Sequence, residues 1–503
     1  MTEHNSPAAP DGLRRIAIDP VSRVEGHGKV TLLVDEHHKV QQARLHIVEF
    51  RGFEKFIEGR PYWEVPVLVQ RLCGICPVSH HLAAVKALDR ALGVHAPTPT
   101  ADKIRRLMHY GQVLQSHALH FFHLASPDLL LGFGADPAAR NIVGVIDAFP
   151  DVARQGVMLR KFGQEIIAAT AGKRIHGTGA VPGGVNRHVE VGQQKQLLAQ
   201  WSTMLEWAQA AVDLIARLHE AQRPMYEAFG ATPAAMLSLV APDGAMELYD
   251  GALRVRDAEG RIMVDQHEDQ AYSALIEEAV KPWSYMKFPY LRDYGEADGW
   301  YRVGPLARLQ NCDHISTPLA EAARQRFVDW HGGQVVHASL AFHWARMIEM
   351  LHATEMAGLL LQDPDILSGE RMAEGQRGTR GVGIIEAPRG TLIHEYEVGN
   401  DDLISYCNLI VATTHNNTAM NEAVRKVAEQ FLDGHEITEP LLNHIEIAIR
   451  AYDPCLSCAT HALGQMPLTV SLRTMQGDLL DHVGRGSDGR LLRGLTANAA
   501  DTA

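Results

Sequence analysis

Cysteine is scarce in this chain, six among 503 residues, and so few cannot build the disulfide framework of a secreted scaffold. Its thiols are therefore expected to stay free or to bind metal. Positive charge is scarce too: 47 Lys and Arg against 60 Asp and Glu leave a net charge of −13. No broad cationic face is available to neutralise phosphates, which argues against nucleic acid as a partner. Long apolar runs are missing, since no window approaches the roughly 18 residues of a membrane-spanning helix. The opening residues, MTEHNSPAAPDGLRR, lack the apolar core of a secretory signal and a twin-arginine signal. The expectation is a cytoplasmic chain without membrane insertion. A glycine-rich nucleotide fingerprint, an internal repeat and a low-complexity linker are also wanting.

What is present is a core-forming composition, 46% hydrophobic, patterned mostly for helices. After a polar lead over residues 1–15, RIAID and GKVTLLVDEHHKVQQARLHIVEF read as strand, hairpin and strand, with Val30, Leu32 and Val34 alternating. Helical spacing then takes over: HHLAAVKALDRALG with Gly93 as its stop, a helix from Ala101 capped by Thr100, and a long one with Leu197, Trp201, Leu205 and Ala208 along one side. Further helices are predicted over 335–361, 417–434 and 439–452. EAPRGTLIHEYEVG and YCNLIVATTHNN read as short strands or extended loops between them. The prediction is a mainly α fold with a small N-terminal β-sheet, an α+β arrangement. With no linker to divide it, a single unit is expected, and the stretch after residue 470 turns polar and Gly-rich.

Four of the cysteines form two copies of one spacing. Cys73 and Cys76 lie in RLCGICPVSHH, just before a helix, and Cys455 and Cys458 lie in DPCLSCATH, where a helix stops. Cys312 and Cys407 stand apart and read as small buried hydrophobes. Two such pairs suit a four-thiolate zinc, but zinc ribbons close short loops, and here most of the chain lies between the pairs. Nickel and iron favour the same soft donors, and two bridging thiolates would allow a binuclear centre. On chemistry alone these readings stay open.

Taken in order, DPVSRVEGHGKV, FRGFE, RLCGICPVSHH, EAPRG and DPCLSCATH resemble the motifs of the large, catalytic subunit of nickel-iron hydrogenases, over about residues 16 to 462. The detail looks most like the cytoplasmic NAD-reducing subgroup. The resemblance implies that family's large-subunit fold, built on a central helical bundle. It implies nickel on four thiolates: Cys73 and Cys455 terminal, Cys76 and Cys458 bridging to an iron that carries cyanide and carbon monoxide. Splitting dihydrogen also needs a base. Cys455 is the leading one, and Arg389, over the open metal position, is its rival. Glu25 matches the acid that relays the proton onward. Asp128 and Asp453 match acids near Arg389, His80 a donor to a bridging thiolate, and Thr413 a donor to cyanide. Glu54 and His461 match ligands of magnesium or a similar hard cation, with a backbone carbonyl near Asn408 or Leu409 as a third. Ala412 stands where the family usually has proline.

The same resemblance implies a small subunit with an iron-sulfur cluster, diaphorase subunits carrying FMN and NAD, nickel-insertion proteins and a maturation endopeptidase. The alternatives are a related cytoplasmic hydrogenase using NADP or a deazaflavin, a non-catalytic dihydrogen sensor, a structural zinc protein, and a quinone-reductase relative, which typically lacks the four cysteines kept here. In the family the precursor is cut just after the histidine that His461 matches, or one residue later. The extension from about Leu463 is therefore expected to be absent from active protein, and an intact mass that includes all 503 residues would refute this.

Overall fold

In the computed structural model of the chain, residues 14–50, 52–435 and 438–460 are described, together with the backbone strands Leu468–Arg473, Leu479–Arg485 and Leu491–Arg493. The predicted polar lead before Arg14, His461, and all side chains of the 463–503 extension lie outside the described residues. The alternation of Val30, Leu32 and Val34 buries one face of the Gly28–Val34 strand. That strand pairs antiparallel with Arg14–Ile18 and with Val40–Ile47, as the pattern predicts.

Helices Pro99–Leu119, Pro150–Ala171, Val191–Ala221 and Ala341–Gln362 pack on one another around a core that includes Trp344. The Ala341–Gln362 helix is buried on nearly every side, as expected of a helix apolar all round. It carries His343, Arg346, Glu349 and His352 into the interior. A second unit places the Pro77–Ala91 helix against an antiparallel sheet of Arg380–Ala387, Gly390–Val398 and Ile404–Ile410. Gly381 and Gly383 make this approach possible, because a Cβ on either would fall 2.0 and 2.3 Å from the carbonyls of Ala87 and Ala83. The helix that follows Cys76 is thereby fixed against the strand that leads to Arg389.

Several expectations change. The second helix is capped by Thr98, whose Oγ1 accepts from the Ala101 N–H, and not by Thr100. The helix predicted from 335 starts at Ala341, because the preceding residues turn and Ser339 donates its hydroxyl to Gly230 O. A four-stranded sheet of Tyr301–Arg302, Ala235–Val240, Ala252–Arg256 and Ile262–His267 has no counterpart in the prediction. Its Ala235–Val240 strand is almost wholly buried, so AMLSLV shows no alternation to betray a strand. The fold is mainly helical with several small sheets. Among the described residues no helix is long and apolar enough to cross a membrane.

Burial holds His81, His109, His117 and His352 to about 4, below the ordinary histidine range. The contacts of His81 suit a neutral ring, with Nδ1 donating to Pro66 O and Nε2 accepting from the Ala180 N–H. Between about pH 4 and 6.5 the unfolded chain binds protons that the folded one refuses, so the stability these rings contribute is present above pH 6.5 and is lost on acidification. The unfolding midpoint should fall steeply between pH 7 and pH 5, with net proton uptake on unfolding measurable near pH 5.5. A midpoint flat over that range would show that these rings are not held neutral.

Candidate metal centre

Cys73 ends the short helical turn Val69–Leu72, and Cys76 directly precedes the Pro77–Ala91 helix. Their loop is fixed from outside by Gln112 and Gln115, which both donate to Ile75 O, at 2.8 and 2.6 Å. Within it the N–H groups of Ile75 and Cys76 point at the Cys73 sulfur, at 3.2 and 3.3 Å. The second pair follows the Glu439–Ala451 helix, where Asp453 takes a left-handed backbone (φ 53°) and turns the chain inward. There the Cys455 N–H donates to Thr413 Oγ1 at 2.8 Å, and the Leu456 N–H to Glu25 O at 3.0 Å.

These contacts bring together sulfurs 382 residues apart in sequence: Cys73 to Cys455 at 3.3 Å and Cys76 to Cys458 at 3.9 Å. Cys455 and Cys458 stand 2.6 Å apart. All four sulfurs lie within 4.8 Å of one another, and all four residues are buried. Burial pushes the Cys455 and Cys458 thiols well above their ordinary value. At Cys73 burial acts in the same sense but is outweighed by hydrogen bonds from the other three thiols and by the Arg389 cation, so this thiol ionises most readily. Metal entry must release the remaining protons. Cys312 and Cys407 are buried elsewhere, as expected, and burial pushes Cys312 up to about 12.

Glu25 Oε2 lies 3.0 Å from Cys455 Sγ. Arg389 sits in the tight turn between Arg380–Ala387 and Gly390–Val398. Its Nε donates to Asp453 O at 2.6 Å and its Nη2 to Asp453 Oδ1 at 3.1 Å. Burial works against this cation, but Asp453 and the sulfurs hold it well above its ordinary value. Burial in turn pushes Asp453 up to about 6, against the pull of Arg389 and Arg346. His80 and Thr413 join Arg389, Ser79, Cys76 and Cys455 around one small cavity. His80 Nδ1 meets His394 Nε2 at 3.1 Å, and His394 Nδ1 meets the Tyr396 hydroxyl at 2.7 Å. Nothing local in the sequence marks either His394 or Tyr396 as a partner of this site.

One expectation needs correction. Asp128 is not among the groups that hold Arg389. Its carboxylate accepts from Arg23, Arg450 and Asn443, pinning the loop before Glu25 to the Glu439–Ala451 helix and its neighbours. The sequence match rests on an acid in a short motif, which cannot tell which arginine it will meet. Glu54 is buried beside the Ile404–Ile410 strand, where its Oε1 accepts from the Leu409 N–H at 2.9 Å; the N–H and C=O of one strand residue leave on the same edge, so the Leu409 carbonyl also lies on the side of Glu54. Lys287 stands 3.3 Å from Glu54 Oε1 and 3.1 Å from Glu278.

Four soft donors converging in a dry site suit nickel and iron. Arg389 Nη1 and Ser79 Oγ are buried there without a partner among the described residues, which fits small acceptor ligands next to the metal. Thr413 spends an oxygen lone pair on the Cys455 N–H and keeps its O–H to donate. Thr413→Val would strand that N–H at a cost of about 1–3 kcal/mol. The variant should show a lower unfolding midpoint and reduced nickel content, both restored in Thr413→Ser; full nickel occupancy and an unchanged midpoint in Thr413→Val would contradict the contact.

Comparison with known proteins agrees with this geometry. Residues 51–137 and 246–461 match the profile described as nickel-dependent hydrogenase, and residues 15–50 one described as HoxL-like. The chain is 46% identical over 489 residues to the beta subunit of the NAD-reducing hydrogenase HoxS of Cupriavidus necator, covering 94% of this chain and 100% of that one. It is also 46% identical over 416 residues to a subunit of the F420-non-reducing hydrogenase vhu of Methanocaldococcus jannaschii, covering 82% and 99%. A crystal structure of an NAD+-reducing [NiFe]-hydrogenase in the H2-reduced state superposes with a TM-score of 0.88 at 62% identity, covering 90% of this chain and all of that one. The four-thiol pocket is thus the metal site of a known architecture, and the chain belongs to the nickel-dependent hydrogenases, whose large subunit it represents.

Proposed function

We propose that this chain is the catalytic component of a cytoplasmic hydrogenase that cleaves and forms dihydrogen reversibly, its electrons leaving through iron-sulfur clusters and flavin on partner subunits to NAD+. The observation that carries this reading is the convergence of four buried thiols beside the guanidinium of Arg389 and the carboxylate of Glu25. Cys73, Cys76, Cys455 and Cys458 would hold nickel, with Cys76 and Cys458 shared with an iron bearing cyanide and carbon monoxide. When bound, that group supplies the Lewis acidity and redox chemistry of heterolytic dihydrogen cleavage.

The chain's own residues manage the proton and the surroundings. Cys455 Sγ is the base, and Glu25 Oε2, 3.0 Å away, takes its proton and passes it outward. The cation of Arg389, tied to Asp453 on one edge, supports a role as fixed donor over the cavity and not as the base. His80, Ser79 and Thr413, which line the same cavity, donate hydrogen bonds to the bound group. Glu54 with His461 would hold magnesium, and the Lys287 ammonium beside Glu54 would share in balancing its charge. Partner docking is supported by the exposed apolar side chains Phe50, Phe56, Trp63 and Val67, in the stretch of sequence that leads to Cys73. They suit the small subunit, because electrons must leave over a short distance. The NAD acceptor rests on the two NAD-reducing relatives.

Plasma mass spectrometry of the purified complex should find one nickel per chain. Infrared spectra should show carbon monoxide and cyanide stretches, whereas zinc without those bands would return the cysteines to a structural role. Glu25→Gln should keep nickel and the infrared bands while its dihydrogen–deuterium-oxide exchange falls by about 10² to 10⁴; exchange at the wild-type rate would remove Glu25 from the relay.

A further inference from the structure

We propose that Ser457 is the positioning residue of the proton relay, fixing the Glu25 carboxylate so that one oxygen faces the Cys455 sulfur. This rests on the reading of Glu25 as the relay. Ser457 stands between Leu456 and Cys458 at the start of the single turn Ser457–Ala459 and is 2% exposed. Its two donors take the two carboxylate oxygens. The Ser457 N–H donates to Glu25 Oε2 at 3.2 Å, and the hydroxyl donates to Oε1. Oε2 is the same oxygen that meets Cys455 Sγ at 3.0 Å.

The backbones are drawn together to allow this. Glu25 and Cys455 form a parallel bridge, and the Leu456 N–H donates to Glu25 O. Gly26 has φ +83°, and a Cβ there would lie 2.7 Å from Ser457 N, so a larger residue would push the two segments apart. A serine at the start of a turn commonly spends its hydroxyl on the turn's own N–H groups. Ser457 instead turns it to Glu25. A carboxylate on a two-methylene stem rotates freely unless both oxygens are held, and a relay oxygen displaced by about 1 Å costs on the order of 10²-fold in rate. Alanine at 457 would keep the backbone contact to Oε2 but release Oε1, letting the group swing off the sulfur. Cysteine motifs draw attention to the thiols at their ends, and the hydroxyl between them is easily passed over.

The test uses the assembled, metal-loaded enzyme carrying Ser457→Ala. Its carbon monoxide and cyanide bands should match wild type, showing that the metal group is intact. Dihydrogen–deuterium-oxide exchange should fall about tenfold to a hundredfold. In redox difference infrared spectra, the carboxyl band assigned to Glu25 by its loss in Glu25→Gln should move to higher wavenumber, since one hydrogen bond is gone. Exchange within twofold of wild type, or a Glu25 band that does not move, would overturn the proposal. If Glu25→Gln itself exchanges normally, the relay reading fails, while the band shift still reports whether Ser457 holds the carboxylate.

Discussion

Four sulfurs from the two ends of the chain meet in one water-poor place, and the rest of the structure depends on that meeting. Thiolates there are strongly disfavoured unless a cation joins them, so the fold must bring the groups together and keep them together before the stabilising metal arrives. It does so with contacts that reach across the sequence. Gln112 and Gln115 grip Ile75 O, Thr413 receives the Cys455 N–H, and Glu25 O receives that of Leu456. Gly381 and Gly383 let the helix after Cys76 lie directly on the strand before Arg389. None of these residues binds metal in this reading, yet each fixes one that does.

What is legible in the sequence follows the range of the interaction. The N-terminal hairpin and the long helices announce themselves by period, and the two cysteine pairs by spacing, because those signals are local. Thr98 takes the cap expected of Thr100 because both are threonines beside Pro99, and only the backbone turn decides between them. The buried strand Ala235–Val240 shows no alternation and so leaves no trace in the pattern. Asp128 meets a different arginine from the one expected, since an acid's partner is chosen by the fold: Arg23 and Arg450 reach it from opposite ends of the chain. His394 and Ser457 are invisible for the same reason. Their partners, His80 and Glu25, lie hundreds of residues away.

The placing of Arg389 depends on a deeper cation. Arg308, fully buried, uses all five of its N–H donors. Nε goes to Glu349, Nη1 to Glu386 and Ala387 O, and Nη2 to Glu349 and Pro388 O. Two of these acceptors are the carbonyls just ahead of Arg389, so the turn is clamped from below while Asp453 holds the side chain from the other side. Glu386 is fixed in turn by the Leu239 N–H and the Thr391 hydroxyl, and Glu349 by His117. A network of this kind contributes little net stability compared with well-packed apolar groups, because desolvating the charges offsets their attraction. What it adds is direction. A planar fork with five fixed donors defines where two carbonyls must stand, which three rotating donors on a lysine could not do. The guanidinium of Arg389 can then present Nη1, without a partner among the described residues, to the cavity, held there before any ligand arrives and at no further cost in reorganisation.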